Sequence, residues 1–121
     1  MFQGRDRRLQ RSGSTDTALG YFLKSCAIRL GLRAIVLGSR DGLLLAAYGD
    51  AVDPDSAAAY APLVYQDARP FPEPVEESYF VEAIPTSLTT LYLFVVGQAA
   101  APSLARNGTT TGIRRILEAE A

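Results

Sequence analysis

Two apolar runs joined by a short turn dominate the pattern of hydrophobic and polar positions. Residues 32–37 are apolar at nearly every position, and residues 43–48 form the second run. Between them stands Arg40-Asp41-Gly42, and Asp-Gly favours a hairpin because both residues tolerate positive φ. A strand that does not alternate is buried on both faces. We therefore predict a hairpin whose first strand lies in the middle of a sheet.

A first helix is predicted before this hairpin. Apolar residues recur at helical spacing, and Gly31 supplies a C-terminal stop. The stripe consists of Ala18, Leu19, Phe22, Leu23, Cys26, Ala27 and Leu30. Thr15 or Asp16 can cap its start, so residues 1–14 are expected to be a disordered basic tail and residues 15–121 a single domain. Cys26 is interpreted as a small core residue rather than a reactive thiol.

A second helix is predicted after the hairpin. Asp53-Pro54-Asp55 has the composition of a helix start, with Asp53 as the cap and Pro54 in the first turn. The same carboxylates, together with Asp50, could form a cation site, but the glycine and distal glutamate of an EF-hand loop are missing. Pro62 is expected to kink this helix or to end its regular hydrogen bonding.

This second helix has no polar face over residues 57–65. A helix that is apolar on every side is normally covered on every side. The alternative is that alanine side chains are left exposed at little cost. Two tyrosines favour a contact with another chain, because tyrosine is enriched at interfaces. The predicted interface residues are Ala57, Tyr60, Ala61, Val64 and Tyr65.

After the second helix the sequence predicts a connector, two strands and a helix. Residues 67–77 contain three prolines and three glutamates and are expected to form an exposed connector or edge segment. Strands are predicted over residues 78–84 and 88–97, and the second, almost wholly apolar, is the other candidate for a central strand. A flexible loop should follow, and then a short helix from Thr110 or Thr111. Its inward residues are predicted to be Ile113, Ile116 and Leu117.

Composition narrows the class of protein. A chain of 121 residues that is 48% hydrophobic fits one compact domain. Its net charge of −1 gives no global attraction to nucleic acid or to an anionic membrane. Residues 1–13 lack the apolar region of a secretory signal, and no apolar run approaches the ~20 residues that a membrane span requires. We expect a cytoplasmic protein with no membrane insertion.

The residues that could take part in catalysis form no catalytic motif. Histidine is absent and Cys26 is the only cysteine, which excludes Cys/His zinc sites, disulfides and triads with a histidine base. Lys24 and Ser25 follow leucine, not the glycine of a P-loop. The paired carboxylates Glu76 and Glu77 fall in a polar segment where nothing would raise a pKa for acid catalysis. We predict no catalytic residues, no cofactor, no metal and no enzymatic activity.

The order of the predicted elements, together with the sequence IVLGSRDGLLLAA at residues 35–47, resembles the roadblock/dynein-light-chain family, in particular its bacterial GTPase-associated type. The resemblance implies an α/β sandwich in which one antiparallel sheet carries helices 1 and 3 on one face and helix 2 on the other. It also implies non-catalytic proteins that dimerise near helix 2 and serve as platforms or regulators for Ras-like GTPases. The family usually has three strands after helix 2, and the proline-rich stretch replaces the first of them here.

Three hypotheses on function follow. The leading one is a non-enzymatic adaptor or regulator of a Ras-like GTPase module in bacterial polarity or motility, which binds itself as a homodimer, the GTPase or another roadblock protein. A second is a small-ligand sensor of PAS-like or profilin-like type, which would need an internal cavity with convergent polar groups. The aliphatic strands favour a filled core instead. A third is a structural dimerisation subunit that makes no contact with a GTPase.

Overall fold

The computed structural model describes residues 2–67, 69–97 and 108–118 of the chain. The helices are α1 (Phe2–Leu30), α2 (Pro54–Asp67) and α3 (Thr109–Glu118). The strands are β1 (Ala34–Gly38), β2 (Leu44–Gly49), β3 (Tyr79–Pro85) and β4 (Thr90–Val96). These elements follow the predicted order.

The four strands form one antiparallel sheet in the order β2-β1-β4-β3. All five residues of β1 are buried, and so are the last six of β4. The two continuously apolar runs are therefore the two central strands, as predicted. A strand between two layers of helix loses water on both faces, which is why its apolar residues need not alternate.

Two layers of helix cover the two faces of the sheet. α1 and α3 pack on one face, where the core contains Leu19, Leu23, Ala27, Ile35, Leu37, Leu93, Val95 and Ile113. α2 packs on the other face, where the core contains Ala34, Val36, Ala57, Ala58, Ala61, Phe71, Tyr92, Phe94 and Val96. The predicted sandwich is confirmed, and the described residues form three helices and four strands in a roadblock-like arrangement.

The start of α1 differs from the prediction. The helix begins at Phe2, so Thr15 and Asp16 lie inside it and residues 2–14, expected as a disordered tail, are helical. The segment 5–11 consists mainly of arginine, leucine and glutamine, which are good helix formers, and no proline interrupts residues 2–30. Extending a formed helix is also easier than nucleating one. Cys26 is fully buried in the predicted stripe, where the Thr109 hydroxyl lies 3.5 Å from its sulfur.

The β1–β2 turn is closed by backbone and side-chain hydrogen bonds. The Ser39 N–H donates to the Leu43 carbonyl at 2.8 Å, and the Gly42 N–H donates to the Ser39 carbonyl at 3.0 Å. The Ser39 hydroxyl oxygen accepts from the N–H groups of Asp41 and Leu43. Gly42 has φ of 84°, which confirms that the turn needs a residue that tolerates the left-handed region.

The start of α2 is capped as predicted. The Asp53 carboxylate accepts from the Ser56 N–H at 3.1 Å and from the Ser56 hydroxyl at 2.9 Å. A hydrogen-bonded Asp at this position satisfies one of the free donors of the first turn. Pro62 does not end the helix, which continues to Asp67.

The connector between α2 and β3 contains no strand in its described residues, 69–77. It was predicted to be exposed, and most of it is, but Phe71 is buried at 6% exposure. Its N–H donates to the Tyr79 hydroxyl at 2.7 Å. The exposed-connector prediction is therefore wrong at Phe71, which anchors the segment to the sheet.

The terminal helix α3 starts one residue before the predicted Thr110. Ile113 is fully buried, and Ile116 and Leu117 pack at the edge of the same core. Gly112 lies directly over the Phe22 ring, where any side chain would collide with it. The flexible loop predicted before this helix falls mostly on residues 98–107, outside the described residues.

We expect Gly42→Val to destabilise the fold. A β-branched residue in the left-handed region costs about 1–2 kcal/mol or more, and a Cβ at this position would lie 3.1 Å from Ala59 Cα. Denaturant unfolding measures the loss. Arg40→Ala in the same turn is the control and should leave the unfolding midpoint unchanged, because Arg40 is exposed. Equal stability of the glycine variant and the native chain would contradict this account.

Candidate interaction surface

α2 approaches the sheet closely because both sides of the contact carry small residues. The buried residues of α2 are Ala57, Ala58, Ala61 and Pro62. A Cβ added at Gly38 of β1 would lie 3.1 Å from the Ala58 Cβ and 3.3 Å from the Ala58 carbonyl oxygen. Three alanines and a proline therefore form the closest contact of α2 with the sheet.

Four apolar residues of α2 are accessible to solvent. Tyr60 is 40% exposed, Leu63 38% and Tyr65 51%, and Ala59 is exposed beside them. We call these four residues the α2 surface. A large exposed apolar patch on a folded protein commonly marks an interaction site, so this surface is the candidate functional site.

The two tyrosines of the α2 surface are held by other aromatic rings. Tyr60 meets Phe71 edge to face, with ring centroids 6.0 Å apart. Tyr65 lies against Tyr92, with centroids 5.6 Å apart, and the Tyr92 hydroxyl accepts from the Gln66 amide at 2.8 Å. Each ring thus has a fixed inner edge and an exposed outer edge. Anchored side chains of this kind lose little conformational entropy when a partner binds.

The hairpin tip extends the apolar area beyond α2. The position of a Cβ on Gly42 lies 3.1 Å from Ala59 Cα, so the turn touches the outer side of the helix. The next two residues, Leu43 and Leu44, are 62% and 37% exposed. The hairpin tip and the α2 surface therefore adjoin.

The structure divides the five predicted interface residues into two groups. Tyr60 and Tyr65 are accessible, and Val64 is half-buried at the edge of the α2 core. Ala57 and Ala61 are fully buried against the sheet. These two alanines, predicted at the interface, therefore lie on the sheet side of α2 and not on its accessible surface.

Sequence reasoning missed three exposed leucines: Leu43, Leu44 and Leu63. Leu63 was hidden because the helix is apolar on every side, so the pattern could not indicate which side faces the sheet. The clustering of small residues at 57, 58 and 61 is a signal that could have identified the buried side. The leucines of the hairpin were counted only as strand residues.

Charges lie at the ends of the α2 surface rather than within it. Asp55 is exposed in the first turn, and Asp67 in the last turn lies 3.7 Å from the Arg69 guanidinium. On the other face of the sheet, burial raises the pKa of Glu82, which shares the α1 side of β3 with Phe80 and Ile84. This titration is remote from the α2 surface and contributes nothing to it.

The described ranges offer neither a metal cluster nor a membrane-spanning helix. Residues 2–67, 69–97 and 108–118 contain no group of three or more histidine, cysteine or carboxylate side chains arranged to hold a metal ion. In the same part of the chain, no helix combines the length and the apolar character needed to cross a bilayer.

The sandwich, its strand order and the position of α2 define the roadblock-like class of fold. A solved structure of this class that the chain resembles is Myxococcus xanthus MglB, with a TM-score of 0.59, 13% sequence identity, and coverage of 87% of this chain and 91% of that chain. No family model and no curated protein matches the sequence. The likeness to MglB is one of fold.

The two sides of α2 should respond oppositely to substitution. Ala61→Leu adds volume where α2 meets the sheet and should cost about 1–3 kcal/mol of unfolding free energy, as overpacking does. Leu63→Ala on the exposed side should change it by no more than about 0.5 kcal/mol. Denaturant unfolding of both variants tests the assignment, and a greater loss from the Leu63 variant would show that the sides are reversed.

Proposed function

We propose that this chain is a non-enzymatic adaptor or regulator of a Ras-like small GTPase module, of the kind that serves bacterial cell polarity or motility. It acts in the cytoplasm through pairing with itself or with another roadblock protein. The α2 surface is the binding element. The observation that carries the proposal is this surface, with its anchored tyrosines, on a roadblock-like fold.

Two further features support a role in binding. The aromatic anchors are spaced along one helix, and an anchor residue surrounded by apolar area is typical of the centre of an interface. The neighbouring strand β3 pairs only with β4 among the described strands, so its outer edge has backbone groups that a partner can reach. The α2 surface and this edge together suit self-association.

We expect the purified chain to form at least a dimer at micromolar concentration in light scattering. Tyr60→Glu and Tyr65→Glu should each weaken this assembly, because a charge would be buried at the contact. The matched control is Leu88→Glu, since Leu88 is 87% exposed in the β3–β4 turn. This control should assemble as the native chain does.

Thermal unfolding separates assembly from folding in this experiment. The tyrosine variants should keep the far-ultraviolet circular dichroism of the native chain and unfold cooperatively as monomers. A native chain that is monomeric at micromolar concentration, or a Leu88 variant that dissociates as the tyrosine variants do, would contradict self-association through α2.

The chain alone is expected neither to bind nor to hydrolyse GTP. Lys24, its only lysine, lies in the C-terminal part of α1 rather than at the start of a helix after a glycine-rich loop. Calorimetry at micromolar affinity tests binding, and phosphate release tests turnover. Nucleotide binding by the isolated chain would contradict the first expectation, and GTP turnover by it would overturn the non-enzymatic assignment.

A pull-down with the purified chain, analysed by mass spectrometry, identifies the partner. A Ras-like GTPase should be captured by the native chain and by Leu88→Glu but not by Tyr65→Glu. The GTP turnover of the captured GTPase should then change only when a chain with an intact α2 surface is added. Capture of the GTPase by all three chains alike would place its contact elsewhere.

A further inference from the structure

A second accessible face lies on α1, on the opposite side of the sheet from α2. Tyr21, Lys24, Ser25, Ile28 and Arg29 line a shallow groove along the outside of this helix. Their spacing of three, four and seven residues places them on one side of the helix. We call these five residues the α1 outer face.

The α1 outer face exposes large apolar side chains more fully than the α2 surface does. Tyr21 is 71% exposed and Ile28 64%. They stand seven residues apart, so they point the same way two turns from each other. Neither side chain belongs to the core of the domain, so packing within the domain does not account for them.

The charge of this face is positive and not neutralised. No described carboxylate forms an ion pair with Lys24 or Arg29, whereas Arg33, just beyond the helix, is paired with Glu77 at 3.2 Å. The Arg29 guanidinium also reaches the Cys26 sulfur at 3.5 Å. The exposed cations therefore stand beside the two exposed apolar side chains.

The basic residues of the whole chain are also concentrated in its N-terminal part. Residues 1–33 contain seven basic and two acidic residues, and residues 34–121 contain five basic and eleven acidic ones. The net charge of −1 thus conceals one strongly positive segment, which is almost entirely α1. Four arginines of this segment, at positions 5, 7, 8 and 11, belong to the first turns of α1.

We propose that the α1 outer face binds the surface of an anionic lipid bilayer. A helix that combines a cluster of four to eight basic residues with exposed aromatic and aliphatic side chains is typical of peripheral membrane contact. Tyr21 and Ile28 enter the headgroup region while Lys24 and Arg29 meet lipid phosphates.

Charge complementarity favours an anionic bilayer over a second copy of the chain as the partner of the α1 outer face. Two copies meeting through α1 would bring their positive segments together, and like charges repel at such a contact. An anionic bilayer supplies the opposite sign over an extended area. The contact is peripheral, since it involves side chains on one side of the helix.

Vesicle co-sedimentation of the full chain tests the proposal. The chain should sediment with vesicles of phosphatidylcholine mixed with phosphatidylglycerol and remain in solution with vesicles of phosphatidylcholine alone. Added salt should release it, because screening weakens contacts between exposed charges. Lys24→Glu should weaken partitioning by about tenfold or more, since each basic residue near an anionic surface counts for about fivefold.

Matched controls identify the face. Tyr21→Ser and Ile28→Ser should also reduce sedimentation, whereas Leu88→Ser, an apolar change elsewhere, and Arg40→Glu, a charge reversal in the hairpin turn, should reduce it less. Any of three results would overturn the proposal: equal sedimentation with both vesicle types, no sedimentation with either type, or equal losses of sedimentation in the control variants and the α1 variants. So would a change in oligomeric state caused by the α1 variants without lipid, which would indicate contact between copies. No GTPase is present, so the result is independent of the proposed function.

Discussion

The close contact between α2 and the hairpin is the constraint on which the rest of the α2 layer depends. At Gly38 a Cβ would lie 3.1 Å from the Ala58 Cβ, and at Gly42 it would lie 3.1 Å from Ala59 Cα. Distances this short leave no room for a larger residue at either glycine without displacing the helix. α2 is therefore held against the sheet by its smallest residues, and the dispersion attraction between closely packed backbones replaces the area that larger side chains would bury.

A cluster of aromatic rings completes the layer beyond α2. The Phe71 ring packs against Phe94 with centroids 4.9 Å apart, and Tyr79 stacks on Phe94 at 5.2 Å with 7° between the planes. Phe71 also contacts Tyr60 of the α2 surface. The connector between α2 and β3 thus contributes one buried ring to this layer. Because the same ring contacts Tyr60, the path of the connector helps to set the geometry of the candidate site.

The sequence was sufficient to predict features set by local rules. The burial of β1 and β4 on both faces was predicted from their unbroken apolar runs. The β1–β2 turn was predicted from Asp41 and Gly42, and the cap of α2 from Asp53. The hydrophobic pattern alone did not predict the orientation of α2, because a helix that is apolar on all sides carries no periodic signal; only the clustering of small residues pointed to the buried side. Which alanines lie inward depends on Gly38, a residue on another element. The burial of Phe71 depends likewise on rings brought close only by the fold.

The two outward surfaces are separated by the sheet itself. α2 covers one face, with its tyrosines supported by Tyr92 and Phe71, while α1 and α3 cover the other. β1 and β4 contribute alternate side chains to both layers, so they hold the surfaces on opposite sides of one rigid core. A macromolecule on the α2 surface does not occupy the α1 outer face. The fold therefore allows a protein contact and a contact on the opposite side at the same time, without any rearrangement of the core.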